Sequence, residues 1–351
     1  LYYTGNVKHP GDYDYIKQGR GHNVCLAVSH DGKTVASKQC LLYNKDYPAG
    51  LTCHVRDPKV FAYEGKYYMV LGARTLEDKG EVLVLESIDK LHWNHINTLT
   101  TPETFGYMWE CPDLFCLDGQ WYLAVSPQGI ACQNVYGCGY FAVYGDWRGE
   151  CTLGEFHEMD AGFDYYAPQS FVDENGRRIQ IGWMGMPDAD YGNAPTVAHG
   201  WQHCFTVPRL LTKGPGGTLL QNPVPELDAR RSAAALTLRN GEEASLSPCF
   251  DLTAAPAGDF ALTVARGVEL VYTEQDSTCV LQFTDPAQAS GRTQRRTKLS
   301  APCRSVRVVG DRSSLEIFLN DGAAVFSTRY YPAAGDVAVK ISGTDALVYS
   351  L

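Results

Sequence analysis

The chain has 351 residues, of which 44% are hydrophobic and 20% are charged, and its formal net charge is −10. This is the composition of a globular protein long enough for two domains, and the negative charge argues against nucleic acid or an anionic membrane as a partner. No apolar run is long enough to span a membrane, and the N-terminus lacks the features of a signal peptide.

The first predicted element is a strand at residues 1–5 (LYYTG), and a second strand is expected at Asn23–Ser29. A hairpin follows at residues 54–70 (HVRDPKVFAYEGKYYMV), where a strand, a polar turn with Gly65 and an aromatic strand succeed one another. The alternating segment Gly80–Ile88 is typical of an outer strand of the same sheet.

The hairpin occurs again at residues 108–124 (MWECPDLFCLDGQWYLA), so that Pro112 falls 54 residues after Pro58. A weaker third copy follows 56 residues later, with Pro168 and the apolar run Ile179–Met184. Hairpins that recur at such a spacing are typical of β-propeller blades, which have four strands each. The repeat therefore predicts a propeller.

Two carboxylates lie at or beside the same position of the first two copies. The innermost strands of a propeller line a central channel, so we expect Asp57 and Glu110 to face one pocket. An aspartate before proline is usually a turn residue. Glu110 lies between Trp109 and Cys111, however, and a carboxylate in apolar surroundings usually has a function. The pair favours acid/base chemistry.

The repeat also predicts a local irregularity. Glu110 aligns with Arg56 rather than with Asp57, and adjacent residues of a regular strand point to opposite faces. A bulge or a strand end at residues 109–112 would let both carboxylates face the same pocket.

The strand at residues 1–5 corresponds to the second strand of a hairpin whose first strand is not in the sequence. An unclosed propeller exposes strand edges and part of its core. We therefore expect that the chain begins inside a blade and that an N-terminal part of the propeller is absent from it.

A change of composition separates the C-terminal part. Residues 214–226 (GPGGTLLQNPVPE) are rich in Gly and Pro, and residues 313–331 (SSLEIFLNDGAAVFSTRYY) read as two strands joined by an Asn-Asp-Gly turn. Short strands of this kind predict a β-sandwich. We predict an all-β protein with an incomplete propeller at residues 1–217, a linker at 218–228 and a sandwich at 229–351.

The number and spacing of the cysteines indicate whether the protein forms disulfide bonds or binds a metal. Twelve are scattered without a Cys-x-x-Cys pair, which fits neither a zinc site nor a small disulfide scaffold. His199 and His203 are four residues apart, but Gly200 and Trp201 lie between them in a segment that reads as a strand. We expect reduced thiols, a cytoplasmic protein, no metal and no cofactor.

The motifs resemble those of glycoside hydrolase family 32, the β-fructofuranosidases. The arginine-aspartate-proline motif of that family matches Arg56-Asp57-Pro58, its glutamate-cysteine motif matches Glu110-Cys111, and FDYYAPQSF at 163–171 follows in the expected order. Three further segments are most similar to the bacterial sucrose-6-phosphate hydrolases of the family, namely SPQG at 126–129, IGWMGMPD at 181–188 and GWQHCFTVPR at 200–209.

The resemblance implies a five-bladed propeller followed by a β-sandwich, and retaining hydrolysis of terminal β-fructofuranosyl groups. Sucrose, sucrose 6-phosphate and short fructans are the implied substrates. Glu110 matches the general acid/base of the family. Asp57 matches the aspartate that binds fructose hydroxyls and stabilises the oxocarbenium-like transition state.

Two departures from the family stand out. The nucleophile of the family is an aspartate in a tryptophan-methionine-asparagine-aspartate-proline motif, which has no match in the sequence. We expect it upstream of Leu1, so the chain alone should be inactive. Leu210 also stands where the family usually has a glutamate.

Six residues are expected to contact substrate: Arg56, Asp164, Tyr166, Gln169, Trp109 and Trp183. Arg56 can hold Asp57 ionised through a charge-assisted hydrogen bond. The two tryptophans can stack on sugar rings, although a buried tryptophan more often belongs to a core.

Two other functions are consistent with parts of the pattern. An arabinan- or xylan-cleaving inverting glycosidase would need a wider separation of the carboxylates, and the C-terminal sandwich counts against it. A sugar-binding propeller that has lost catalysis is the other. In every case we expect a small-molecule sugar ligand, a monomer or homodimer, and no nucleic-acid or membrane partner.

Overall fold

The structure is a computed structural model that describes residues 1–333 and 337–351. Two compact units make up the chain: unit 1 contains Leu1–Cys132 and Tyr136–His157, and unit 2 contains Gln133–Val135 and Glu158–Leu351. Nearly all regular structure is antiparallel β-sheet. The helices of the described residues are short, namely α1 (Ala194–Val197), α2 (Pro286–Ala289) and 3-10 turns at Asn44–Asp46, Pro215–Gly217 and Pro225–Arg230. None of them has the length and apolar character needed to cross a membrane.

Unit 1 contains three antiparallel sheets in which the strand order is the chain order. Sheet A consists of β1 (Tyr2–Lys8), β2 (Arg20–Val28) and β3 (Ser37–Leu42). Sheet B consists of β4 (Leu51–Tyr63), β5 (Lys66–Thr75), β6 (Gly80–Ser87) and β7 (Asn94–Leu99). Sheet C consists of β8 (Met108–Leu117), β9 (Gln120–Gln128), β10 (Gly139–Gly145) and β11 (Cys151–Glu158). Sheets B and C are four-stranded meanders, the form of the blades that the repeat predicted, and sheet A has three strands.

Sheet B is covered on both faces, which explains the unbroken apolar run of β5. Met69 and Leu71 pack in one cluster with Val24 of sheet A, whereas Tyr68 packs in another with Leu123 of sheet C. Successive residues of a strand point to opposite faces, so both sets must be apolar. Sheets A, B and C therefore stack face to face, and the core of unit 1 lies between them.

Unit 2 begins with sheet D. It contains β12 (Tyr166–Val172), β13 (Arg178–Met184), β14 (Cys204–Phe205), β15 (Arg209–Lys213) and β16 (Leu219–Pro223). The strands follow the order β12-β13-β15-β16, and β14 also pairs with β13. β16 lies within the segment expected to be a linker and pairs with β15 along its whole length. Residues 219–223 are therefore part of sheet D rather than connecting chain.

Two six-stranded antiparallel sheets complete unit 2. Sheet E has the spatial order β17 (Leu236–Leu238), β28 (Ala346–Ser350), β19 (Cys249–Ala254), β24 (Val306–Asp311), β25 (Ser314–Leu319) and β26 (Ala324–Arg329). Sheet F has the order β18 (Glu243–Leu246), β27 (Val337–Ser342), β20 (Phe260–Val264), β21 (Val268–Thr273), β22 (Thr278–Phe283) and β23 (Gln294–Lys298).

One apolar core joins the two six-stranded sheets. Leu252 and Ile317 of sheet E pack in the same cluster as Leu262 and Leu281 of sheet F. Two sheets that share one core form a sandwich, as expected from the sequence. The predicted hairpin is present as β25 and β26, and Asn320, Asp321 and Gly322 of its turn have φ of 48°, 55° and 82°.

A buried ion cluster connects sheet D to sheet E inside unit 2. The Arg209 guanidinium lies 2.8 Å from Glu316 Oε2 and 3.2 Å from Asp160 Oδ2. Ser327 Oγ donates to the same Asp160 oxygen at 2.6 Å. The Arg209 side chain is 0% exposed, so its charge is balanced by these two carboxylates rather than by water.

The first strand of each of the three repeated hairpins has a bulge at the same place. The register shifts between Arg56 and Lys59, between Glu110 and Asp113, and between Tyr166 and Gln169. In each bulge the first residue has a positive φ: Asp57 (63°), Cys111 (50°) and Ala167 (51°). The irregularity predicted at residues 109–112 is confirmed.

Candidate active site

The bulges in β4 and β8 determine which side chains meet. In a bulge two residues face one residue of the partner strand, so the alternation of faces is interrupted. Residues 57 and 58 both lie opposite the single residue Leu71. Arg56 and Asp57 can therefore both reach β8, where Arg56 bonds to Glu110 and Asp57 bonds to Cys111. Non-glycine residues rarely adopt a positive φ, and such strain clusters at functional sites.

Glu110 is held at both oxygens. Arg56 donates to Glu110 Oε1 from Nε at 3.0 Å and from Nη2 at 2.5 Å. Gln128 Nε2 donates to Glu110 Oε2 at 2.9 Å. The Glu110 side chain is 16% exposed, so the carboxyl group is fixed in orientation and still in contact with solvent.

The Arg56 contact differs from the expectation. The charge-assisted hydrogen bonds of its guanidinium go to Glu110 instead of Asp57. The bulge explains the difference, because Arg56 and Glu110 occupy the same position of adjacent hairpins and meet directly.

Asp57 is bonded to the next bulge. Its Oδ2 accepts a hydrogen bond from the backbone N–H of Cys111 at 3.0 Å and lies 3.7 Å from the Cys111 thiol. Its own backbone N–H donates to Thr4 Oγ1 at 3.0 Å. Burial raises the pKa of Asp57 above its ordinary value, while the Cys111 hydrogen bond and the Arg56 charge oppose that shift and Glu110 adds to it.

Cys111 remains a neutral thiol in this setting. Burial and then the charges of Asp57 and Glu110 raise its pKa well above the ordinary value. A neutral thiol is a poor nucleophile, so Cys111 contributes its backbone N–H rather than covalent chemistry.

Trp109 supports the site from behind and is not a sugar contact. Its side chain is completely buried, stacks on Phe141 with a centroid distance of 5.3 Å, and donates from Nε1 to the Phe105 carbonyl at 2.6 Å. The expectation that Trp109 stacks on a sugar ring is therefore wrong, because neither ring face is accessible.

Two glycines of sheet B make room for β8. A Cβ on Gly72 would lie 1.9 Å from the Trp109 carbonyl oxygen, and one on Gly80 would lie 2.3 Å from Trp109 Cδ1. Gly72 is also the residue paired with Arg56. The close approach of β5 to β8 thus sets the distance between Arg56 and Glu110.

Asp164 has a structural role within unit 2. Arg292 donates to both of its carboxylate oxygens at 2.7 Å, and the Arg329 backbone N–H donates to one of them at 2.8 Å. Asp164 is 1% exposed. A carboxylate that is buried and fully bonded in this way is not available to a sugar, so this expected contact is also wrong.

The other expected contacts of unit 2 lie along the third bulge. Tyr166 is buried and meets Trp183 edge to face at 6.4 Å, and Gln169 is the residue at which regular pairing resumes. Trp183 is half-buried and also contacts His203 at 4.8 Å. Trp183 and Gln169 keep enough exposure to remain candidates for sugar contact.

Sequence reasoning missed Gln128 and His54. Gln128 belongs to the SPQG segment and pairs with Met108, two residues before Glu110 on β8. The register alone could have placed Gln128 near Glu110, because Met108 and Glu110 are two residues apart on β8 and therefore share a face of the sheet. His54 Nδ1 is within hydrogen-bond distance of Arg56 Nη1, which the alternation of β4 could likewise have indicated.

Two protein-family models together match nearly the whole chain. The protein-family model described as "Glycosyl hydrolases family 32 N-terminal domain" matches residues 1–223, and "Glycosyl hydrolases family 32 C terminal" matches residues 221–347.

Curated relatives are similar over nearly the whole chain. Sucrose-6-phosphate hydrolase from Bacillus subtilis (strain 168) is 38% identical over 367 residues, covering 98% of this chain and 74% of the relative. Sucrose-6-phosphate hydrolase from Klebsiella pneumoniae is 37% identical, covering 95% of this chain and 70% of the relative.

Solved structures show the same fold. Sucrose-6-phosphate hydrolase from Lactobacillus gasseri matches 100% of this chain and 75% of its own with a TM-score of 0.88 at 24% identity. A β-fructofuranosidase of family 32 from Bombyx mori matches 100% of this chain and 76% of its own with a TM-score of 0.85 at 26% identity. On these matches, together with the paired motifs at Asp57 and Glu110, the chain belongs to glycoside hydrolase family 32.

Proposed function

We propose that this chain carries the acid/base and transition-state-stabilising residues of a retaining β-fructofuranosidase that acts on sucrose or sucrose 6-phosphate. One observation carries the proposal: adjacent bulges present Glu110, held by Arg56 and Gln128, beside Asp57, held by the Cys111 N–H. Such an arrangement fixes two carboxyl groups in different surroundings, which is how glycosidases separate the roles of paired carboxyl groups.

In the first step a nucleophilic carboxylate attacks the fructosyl anomeric carbon, and protonated Glu110 gives its proton to the glycosidic oxygen as that bond breaks. Asp57 binds fructose hydroxyls and stabilises the positive charge that develops on the ring. In the second step the ionised Glu110 takes a proton from water as that water attacks the same carbon, and the bond between the carbon and the nucleophilic carboxylate breaks, which releases fructose. Gln128 and Arg56 keep the Glu110 carboxyl aimed at the oxygen throughout.

The nucleophile is the part that the 351 residues do not supply. The tryptophan-methionine-asparagine-aspartate-proline motif of the family has no match in the sequence. The polypeptide on its own is therefore inactive in this proposal. The second carboxyl group of a retaining pair, about 5–5.5 Å from the acid, has to come from residues outside this sequence.

Three further points belong to the proposal. Trp183 and Gln169 contact the sugar. All twelve cysteines are free thiols, which is typical of a reducing compartment and supports a cytoplasmic location. The two family matches count against the arabinan- or xylan-cleaving alternative.

The test compares the 351-residue polypeptide with a chimera in which a family member's segment carrying the nucleophile motif is joined ahead of Leu1. Both are incubated with sucrose and with sucrose 6-phosphate, and released fructose is measured. We expect hydrolysis by the chimera alone, and transfer to methanol should give the β-fructofuranoside, as retention requires. If the unextended polypeptide turns over substrate and Glu110→Gln abolishes that turnover, the claim that the nucleophile is missing from the 351 residues is contradicted. Formation of the α-fructofuranoside would contradict retention.

A further inference from the structure

A group of basic side chains in unit 1 lies beside Glu110, and only one of its members, Arg56, is bonded to that carboxylate. Arg20 Nη1 lies 3.3 Å from His54 Nε2, and Arg56 Nη1 contacts His54 Nδ1 on the other side of the ring. His22 meets the His54 ring edge to face at 5.2 Å. We call these four residues, Arg20, His22, His54 and Arg56, the basic cluster.

The cluster has an excess of hydrogen-bond donors. A neutral imidazole has one acceptor nitrogen and one N–H, so His54 can accept from only one of the two guanidinium groups. The shorter contact, to Arg56, identifies Nδ1 as the acceptor. The Nε2–H of His54 and the Arg20 guanidinium are then two adjacent donors 3.3 Å apart, and one anion oxygen that bridges both from the solvent side would satisfy them.

The charge of the cluster is also incompletely balanced. Glu110 pairs with Arg56, but across residues 1–333 and 337–351 no carboxylate forms an ion pair with Arg20, and its Nε is buried without a hydrogen-bond partner. Burial and the positive charges of Arg56 and Arg20 lower the pKa of His22 to about 4. Burial and the charges of Arg56, His22, Arg20 and Arg74 lower the pKa of His54 to about 3.

Solvent can reach the cluster, and its position relative to Glu110 suggests what it binds. Arg20 and His54 are only half-buried, and the Arg56 side chain is 15% exposed. Glu110 protonates the oxygen that links fructose to the leaving sugar, so the leaving sugar lies next to Glu110. A phosphate group on that sugar would be close to the donors of Arg20, His54 and Arg56.

We propose that the basic cluster is a phosphate-binding site, with Arg20 as its specificity-determining residue, and that it takes the phosphate monoester of a phosphorylated sugar substrate. Forked guanidinium donors match phosphate oxygens, and Arg20 is the member whose charge is otherwise uncompensated. The inference rests on the proposed function for the identity of the sugar. The same donors would also bind free phosphate, and the experiment below distinguishes free phosphate from a phosphorylated sugar.

The test is a binding measurement on the 351-residue polypeptide, so it does not depend on turnover. Calorimetric titrations use sucrose 6-phosphate, sucrose, glucose 6-phosphate and inorganic phosphate with the wild type, Arg20→Gln, Arg20→Lys and Lys38→Gln. Lys38 is exposed on β3 and outside the cluster, so its variant controls for the loss of one positive charge. Thermal unfolding checks that each variant is folded.

We expect the wild type to bind sucrose 6-phosphate at least about tenfold more tightly than sucrose or inorganic phosphate, as charge-assisted hydrogen bonds allow. Arg20→Gln should remove that preference without changing sucrose binding, Arg20→Lys should retain part of it, and Lys38→Gln should retain all of it. Equal binding of sucrose and sucrose 6-phosphate by the wild type, or an unchanged preference in folded Arg20→Gln, would overturn the proposal. Inorganic phosphate binding as tightly as sucrose 6-phosphate would overturn the sugar-phosphate assignment.

Failure of this inference can be told apart from failure of the proposed function. A chimera that hydrolyses sucrose through Glu110 while sucrose 6-phosphate has no advantage would leave the fructosidase function in place and remove only the phosphate site. A chimera that hydrolyses neither substrate, or whose hydrolysis persists in the Glu110→Gln variant, would remove the proposed function instead.

Discussion

Asp57 Oδ2 accepts a hydrogen bond from the backbone N–H of Cys111 at 3.0 Å, so the first residue of one bulge is bonded to the first residue of the next. Both residues have a positive φ, and each precedes a proline in the repeated motif. The repeated motif therefore encodes a strained backbone as well as side chains. Within unit 1, that backbone brings Asp57 beside Cys111 and close enough to Glu110 for the two carboxyl groups to interact electrostatically.

The strain at Cys111 predicts an unequal response to two substitutions. Cys111→Ala removes only the thiol, whereas Cys111→Val also places a β-branched side chain at φ 50°, which such residues avoid. We expect Cys111→Val to be less stable than Cys111→Ala by roughly 1 kcal/mol, because a β-branched side chain is strained at positive φ beyond the cost that alanine shares. Chemical denaturation of the 351-residue polypeptide measures the difference, and equal stabilities would show that the bulge is not strained.

Gly72 is predicted to be essential for the placement of β8. Its substitution by alanine would push Cβ to 1.9 Å from the Trp109 carbonyl oxygen, so β5 and β8 would have to separate. Overpacking of this kind costs about 1–3 kcal/mol. Gly149→Ala is the matched control in the same unit, because no atom lies within 4 Å of its added Cβ. Thermal unfolding should show a clear loss for Gly72→Ala only, and matching losses would contradict the close approach.

The raised pKa of Asp57 predicts a pH effect of known sign. Burial is the main cause of the shift, so between the ordinary value of 3.8 and the folded-state pKa the native protein holds a proton that the unfolded chain has lost. Stability from this group is therefore present at low pH and is lost as the pH rises through the folded pKa. Asp57→Asn cannot titrate, so the wild type should lose stability relative to this variant as the pH rises from 3.5.

That comparison needs denaturation curves of both proteins at several pH values from about 3.5 to 7, since the sign is set where Asp57 ionises. A wild type that gains stability relative to Asp57→Asn over this range would mean that hydrogen bonding to Cys111 outweighs burial, and that the pKa is lowered.

The Arg209 cluster predicts a strong dependence of unit 2 on one guanidinium. Arg209→Met would leave Asp160 and Glu316 buried without a counter-charge, which costs about 3–5 kcal/mol when a buried pair is broken. Arg266→Met removes the same charge from an exposed pair with Glu243 and should leave stability nearly unchanged. If the two variants unfold at the same denaturant concentration, the buried cluster does not stabilise unit 2.

The repeated stretch allowed much of this to be predicted. Alignment of Pro58, Pro112 and Pro168 located the hairpins, and the mismatch between Asp57 and Glu110 required a bulge. The structure contains that bulge in all three copies. Local pattern was sufficient here because a bulge depends on a few adjacent residues and one partner strand.

Contacts between distant segments could not be predicted. Asp164 pairs with Arg292, 128 residues away, and no local pattern distinguishes that ion pair from a sugar contact. Trp109 is buried because Gly72 and Gly80 of another sheet allow β5 and β6 to approach it. Both errors arise from packing partners that lie far along the chain.

The central claim is that Glu110 is the proton donor, and the most direct measurement is the turnover of sucrose by the active chimera carrying Glu110→Gln or Cys111→Ala. General acid catalysis contributes about 10²–10⁴-fold. We predict a loss of that size for Glu110→Gln with sucrose, a much smaller loss with a fructoside whose leaving group needs no proton, and little change for Cys111→Ala. Equal losses in the two variants, or a Glu110→Gln defect independent of the leaving group, would contradict the assignment.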